Sequence, residues 1–142
     1  MLRLTLRPSP ALAIIFTLAH TTAAGTLVPL DLPAWAKVIL ALAIVASLAH
    51  AALRYALLKG AGCLTAIELR EGDRAAAQTR DGTWHQARVL GTSYVSPLLS
   101  VINLRLDGRM FARHMLIVPD NADAEYFRRL RVLLRWGYRK AP

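Results

Sequence analysis

Residues 10–28, PALAIIFTLAHTTAAGTLV, and residues 34–53, AWAKVILALAIVASLAHAAL, are two apolar runs separated only by PLDLP at 29–33. Each run is about 20 residues long, and a helix of that length rises about 30 Å, which is the thickness of the hydrocarbon core of a bilayer. The short linker leaves room only for a tight turn. The sequence therefore predicts a two-helix membrane hairpin at 10–58, with transmembrane spans at about 10–28 and 34–53.

Basic residues flank the hairpin on its outer ends. Arg3 and Arg7 precede the first run, and Arg54 and Lys59 follow the second, whereas the linker carries Asp31 as its charged residue. Because Lys and Arg are enriched on the cytoplasmic side of membrane helices, both termini are expected in the cytoplasm. The first run also has features of a cleavable signal peptide, with the small residues Thr22 to Ala24 as a cleavage region. Its apolar character nevertheless continues through Val28, which favours a membrane span.

The remainder of the chain, 59–142, has room for one small domain. The chain has a net charge of +9 and one cysteine, Cys63, so an internal disulfide or a multi-cysteine metal site is excluded. A basic cytoplasmic domain suits contact with anionic membrane lipids or with an acidic protein. No nucleic-acid-binding signature accompanies the charge, so no nucleic-acid partner is predicted.

Short runs with strand character, separated by turn residues such as Asp81-Gly82 and Asp107-Gly108, follow the hairpin. Asp-Gly pairs supply the positive φ that tight hairpin turns require. We expect an α+β domain whose antiparallel β meander of about five strands is closed by one C-terminal helix. The expected strands lie at 64–69, 75–79, 84–90, 98–106 and 111–118. Residues 1–9 alternate Leu2, Leu4 and Leu6 with polar residues, which fits a cytoplasmic N-terminal tail or an additional edge strand.

The C-terminal helix is predicted at about 121–136, with Asp120 or Asn121 as its N-cap and Gly137 as its stop. Apolar residues recur at helical spacing along one face. Arg128, Arg131 and Arg135 share another face, and we identify them as candidate contacts with a protein partner or with lipid headgroups.

His20 and His50 lie within the two apolar runs, where polar residues suggest a function. Axial ligation of a haem or a metal would require similar depths, but at 1.5 Å per residue His20 lies about 14 Å deep and His50 about 5 Å deep. A hydrogen bond between the helices, to Ser47 or to a threonine of the first run, explains these candidate intramembrane polar contacts better. The carboxylates have turn or cap positions, and no catalytic residue, metal site or cofactor is predicted.

Several features occur together in this chain: the basic N-terminus, the helix hairpin, Trp84 opening a strand, Leu104-Arg-Leu106 and the pattern Phe127-x-x-Leu-Arg131-x-x-Leu-Arg135. In these features the chain resembles the YgfX (CptA-like) family of small bacterial inner-membrane proteins. The resemblance implies the membrane-bound toxin of a toxin–antitoxin pair, with a small soluble antitoxin of the succinate dehydrogenase flavinylation type. It further implies action on the cytoskeletal and cell-division proteins FtsZ and MreB, and it implies no cofactor. Because the sequence contains no catalytic motif, we expect the protein not to be an enzyme.

Two other function classes stay open from sequence. The first is a non-enzymatic assembly or regulatory factor for a respiratory membrane complex, for which a haem absorption band would be diagnostic. The second is a membrane-bound hydrolase, which would require a reactive serine. Small residues such as Ala43 and Ala46 permit close helix packing, either within the hairpin or between two copies in a homodimer.

Overall fold

The computed structural model describes residues 2–70 and 72–136, and this part of the chain folds into three α-helices and seven strands. The helices are α1 (Pro10–Thr26), α2 (Ala34–Ala51) and α3 (Ala124–Trp136), and a π-helical turn, Ala52–Ala56, extends α2. The strands are β1 (Leu2–Thr5), β2 (Leu64–Leu69), β3 (Arg74–Thr79), β4 (Trp84–Val89), β5 (Tyr94–Val95), β6 (Ser100–Leu106) and β7 (Arg113–Ile117).

Both N-terminal helices differ in length from the predicted runs. α1 ends at Thr26 instead of 28, because the N–H groups of Leu27 and Val28 bond to carbonyls only three residues back and Pro29 follows. The helical path that starts at Ala34 continues past residue 53, because the Leu57 N–H reaches the Ala52 carbonyl at 2.8 Å and so completes the π-helical turn.

The apolar side chains of the helix pair face outward. Ile14, Leu18 and Leu42, for example, are all more than half exposed. By length and composition, Ala34–Ala56, with 23 residues and a mean hydropathy of 2.1, can cross a membrane, and α1 is a shorter apolar helix. An exposed apolar surface of this kind requires an apolar environment.

All seven strands belong to one antiparallel sheet. Strands β1 to β4 pair in sequence order, and β6 pairs with β4, β5 and β7. The five predicted strands are present as β2, β3, β4, β6 and β7, and β1 and β5 are additional. Of the two alternatives for the N-terminus, the edge strand is the one observed, since Leu2 pairs with Leu69 and Thr5 with Ala66.

The core lies between the curled sheet and α3. Every third or fourth residue of α3, namely Phe127, Leu130 and Leu134, is buried. These residues share one apolar cluster with the alternate leucines of β1 and with inward residues of the other strands. Leu4 is 2% exposed, and Ile67 and Leu130 are fully buried. Without α3, the apolar face of the sheet would be exposed to solvent, and α3 packs against this face.

Asp123 is the cap of α3, because its Oδ1 accepts the N–H groups of Glu125 at 3.0 Å and Tyr126 at 3.4 Å. The predicted caps, Asp120 and Asn121, are therefore wrong, and the helix begins at Ala124 rather than near 121. The fully buried Asn121 instead holds the preceding turn, accepting the N–H of Val118 and donating to the carbonyl of Leu116. The predicted stop at Gly137 lies outside the described residues.

Asp120 connects the domain to the helix pair. Its carboxylate accepts the Ser9 hydroxyl at 2.7 and 2.9 Å and the Ala11 N–H at 3.0 Å. Ser9 in turn caps α1, because its Oγ accepts the Leu12 N–H at 3.0 Å. A negative charge at a helix N-terminus is favourable, so Asp120 binds both the cap residue and the positive end of α1.

The turn between β3 and β4 contains a glycine whose positive φ can be tested by mutation. Gly82 has a φ of +89°, and an added Cβ would meet nothing within 4 Å, so the change Gly82→Ala penalises backbone conformation alone. We expect a loss of about 1–2 kcal/mol in unfolding free energy, measured as a lower urea midpoint. Gly91 is the matched control, because it also has open space around it but no positive φ. Equal midpoints for the two alanine variants would contradict this reading.

Candidate partner-binding groove

A groove of about 190 Å³ lies between α3 and the loop that joins β5 to β6. Its α3 wall contains the three predicted arginines together with two apolar residues, and its other wall is the loop. The lining residues are Val95, Ser96, Pro97, Arg128, Arg131, Val132, Arg135 and Trp136. The structure thus places Arg128, Arg131 and Arg135 around one concave surface.

The helical period explains the arginine wall. Leu130 and Leu134 face the core, and the positions one residue later, Arg131 and Arg135, lie at the edge of the buried stripe. Arg128 is three residues before Arg131 and so lies one turn below it on the same face.

The opposite wall is held by Ser96. Its hydroxyl donates to the Leu99 carbonyl at 2.9 Å and accepts the N–H groups of Leu98 at 3.3 Å and Leu99 at 3.0 Å. These bonds fix the turn that carries Pro97. Sequence reasoning did not find this wall or Trp136, because their proximity to the arginines depends on how the sheet curls around α3.

The three arginines differ in their surroundings. The Arg128 side chain is 66% exposed and lies 3.3 Å from a Glu125 oxygen. Arg131 lies over the Phe127 ring at 5.2 Å, and its Nε is buried with no hydrogen-bond partner among the described residues. Arg135 is exposed. In the described part of the chain, Arg131 and Arg135 have no carboxylate within salt-bridge distance.

Glu125 stays ionised beside the groove, since hydrogen bonds from Arg128 and then Arg129 lower its pKa. Arg129 lies 2.9 Å from the other carboxylate oxygen but does not line the groove. Exposed ion pairs of this kind contribute at most about 1 kcal/mol, so Arg128 can exchange Glu125 for a different carboxylate at little cost.

The groove combines guanidinium donors with an exposed indole and aliphatic surface. Trp136 is 78% exposed and Val132 54% exposed. Arginine forks bind carboxylates and phosphates, and Trp and Arg are the residue types that most often dominate binding energy at protein interfaces. The arrangement suits a ligand that carries negative charge next to an apolar side chain.

The two histidines of the helix pair have different environments. His20 bridges the helices, with Nδ1 2.7 Å from the Phe16 carbonyl and Nε2 3.1 Å from the Ser47 hydroxyl. His50 lies one turn beyond Ser47 and borders a cavity of about 200 Å³ with Leu53 and Arg54. Within residues 2–70 and 72–136, His, Cys, Asp and Glu form no group of three suited to a metal ion.

An apolar helix pair joined to a basic domain of sheet and helix places the protein among small membrane-associated proteins. The family model Cpta_toxin, described as the membrane-bound toxin component of a toxin–antitoxin system, matches residues 1–138, and the chain belongs to this family. The family resemblance seen in the sequence is thereby confirmed. A toxin of such a system has an antitoxin as partner. Comparison with curated proteins and with solved structures gave no match.

Proposed function

We propose that this protein is a membrane-anchored toxin that acts by binding other proteins, and that the arginine groove of α3 binds an acidic segment of its partner. Its first partner is the small soluble antitoxin, and its targets are cytoskeletal and cell-division proteins of the FtsZ and MreB type. The observation that supports the proposal is the clustering of Arg128, Arg131, Arg135 and Trp136 around one open groove.

Binding without catalysis agrees with the chemistry of the groove. Guanidinium, indole and aliphatic groups bind ligands and do not transfer protons at neutral pH. The one hydroxyl in the groove, that of Ser96, donates to the loop carbonyl of Leu99. The Nε–H of Arg131 has no acceptor among the described residues, and donating it to a partner carboxylate would remove the cost of an unsatisfied donor.

The proposal includes a hairpin that crosses the inner membrane twice, with both termini in the cytoplasm. Strand β1 precedes α1 in the chain and strand β2 follows α2, and the two strands pair side by side. This pairing supports an arrangement in which both ends of the helix pair lie on the same side of the membrane. The flanking arginines favour the cytoplasm for that side. In this orientation the groove faces proteins of the cytoplasm and of the membrane surface.

The double variant Arg131→Glu/Arg135→Glu tests the groove. We expect at least a tenfold loss of antitoxin co-purification from detergent extracts, because two attractive charges become repulsive, and relief of growth inhibition on overproduction. The matched control is Arg129→Glu, a charge reversal on the same helix outside the groove. Equal loss in the control, or unchanged binding and growth inhibition in the double variant at equal membrane abundance, would contradict the proposal.

A further inference from the structure

The loop between β6 and β7 carries the most exposed apolar pair in the described part of the domain. Met110 is 89% exposed and Phe111 82% exposed. The two residues lie between Arg109 and Arg113 in the sequence. Two adjacent apolar side chains held fully in water are unfavourable, and such a surface usually contacts a partner or a membrane.

The loop leads into β7, whose first residue, Arg113, contacts the segment that follows the second apolar helix. Arg113 donates to the Gly62 carbonyl at 2.6 Å, in the segment that joins the π-helical turn to β2. Burial, and then the nearby positive charges of Arg54 and Arg109, lower the pKa of Arg113. Arg54 belongs to the π-helical turn that ends the second apolar helix. Arg113 therefore lies beside the end of the second apolar helix, and Arg109 is near enough to Arg113 to act on its charge.

Two further hydrogen bonds, one from a side chain and one within the backbone, support this placement. The turn after β3 contacts the foot of the helix pair, because Arg80 donates to the Leu58 carbonyl at 2.6 Å. Strand β4 starts from that turn, and its Gln86 carbonyl accepts the Asp107 N–H at 2.9 Å. Strand β6 runs antiparallel to β4, so the loop that begins at Asp107 leaves the sheet at the end where β4 starts. This is the end that carries the turn in contact with Leu58.

We propose that the tip of this loop, Met110 and Phe111, inserts into the interfacial region of the cytoplasmic leaflet, with Arg109 and Arg113 at the level of the lipid phosphates. The partner of this apolar pair is the bilayer into which α2 is also inserted, so this inference rests on the membrane placement proposed above. The two connections to the helix pair, through β1 and β2, lie side by side in the sheet and leave the rest of the domain without a membrane contact of its own. A second contact, with apolar residues in the acyl boundary and arginines at the headgroups, fixes its orientation.

Fluorescence quenching in lipid nanodiscs tests the insertion. A bimane fluorophore attached to Phe111→Cys is expected to be quenched by lipids that carry a spin label near the headgroup, and more weakly by lipids labelled deep in the acyl chain. The nanodiscs contain about one third phosphatidylglycerol to provide an anionic surface. The native Cys63 is only 2% exposed, and unsubstituted protein labelled with the same short pulse supplies its background.

Two further probe positions make the outcomes distinguishable. Ala43→Cys, in α2, reports whether that helix is in the bilayer, and Asp73→Cys, in the turn between β2 and β3, reports the opposite end of the domain. Quenching at positions 43 and 111 but not at 73 supports the proposal. Quenching at 43 alone overturns the loop insertion and leaves the membrane anchor intact. Quenching at neither 43 nor 111 overturns both, and equal quenching at 73 and 111 overturns the loop as a specific contact.

Discussion

Replacing Leu130 with aspartate is expected to unfold the domain that follows the helix pair. Leu130 is fully buried in the cluster that joins α3 to β1 and the rest of the sheet. Truncating such a leucine already costs about 2–5 kcal/mol, and the aspartate adds the cost of a carboxylate in an apolar site. A domain of this size has about 5–15 kcal/mol of stability in total, so the variant has little or none left.

Pulse proteolysis across a urea series in detergent micelles measures this effect, with digestion of residues 59–142 as the signal. Leu133→Asp is the matched control, because it introduces the same charge three residues along, at a side chain that is 43% exposed. We expect the control to shift the urea midpoint only slightly and Leu130→Asp to be digested without urea. Comparable digestion of both variants would mean that α3 does not close the core.

Asp120→Ala should loosen the connection between the domain and α1. The substitution removes the acceptor of the Ser9 hydroxyl and of the Ala11 N–H, and it removes a negative charge from the start of the helix. Hydrogen bonds to a charged group contribute about 1.5–3 kcal/mol each. Because 1.4 kcal/mol corresponds to a factor of ten, amide exchange at Ala11 and Leu12 should accelerate by about 10–100-fold.

Hydrogen–deuterium exchange of the 7–13 segment in nanodiscs provides the measurement. Asp123→Ala is the control, since Asp123 has the same side chain and caps α3 through Glu125 and Tyr126. It should speed exchange at the start of α3 and leave the 7–13 segment unchanged. If both variants left that segment unchanged, the role of Asp120 at this connection would be refuted.

Features that depend on neighbouring residues could be predicted from the sequence. The apolar runs, the Asp-Gly turns and the buried stripe of α3 are local patterns, and the structure contains each of them close to its predicted position. Gly82 and Gly108, for instance, both have positive φ. The arginine side of the groove was predicted for the same reason, because the helical period alone places Arg128, Arg131 and Arg135 together.

Features that depend on distant residues were missed or misassigned. Asp120 was expected to cap the helix that follows it, but its partner Ser9 is 111 residues away in the chain. Strand β5 has only two residues, too few for a periodic pattern. The β5–β6 loop comes close to α3, and the end of α2 comes close to the sheet, because the sheet is curled. No local spacing in the sequence encodes this curvature.

The pairing of β1 with β2 has a consequence for how the protein is made. Strand β1, at one edge of the sheet, precedes the helix pair in the chain, and its partner β2 follows the helix pair. The ribosome therefore completes both helices before β1 can pair with β2. Residues 59–142 produced alone would lack Leu2, Leu4 and Leu6 and would expose the bare edge of β2, a site prone to aggregation. Assembly of the sheet is thereby made dependent on completion of the helix pair that joins β1 to β2.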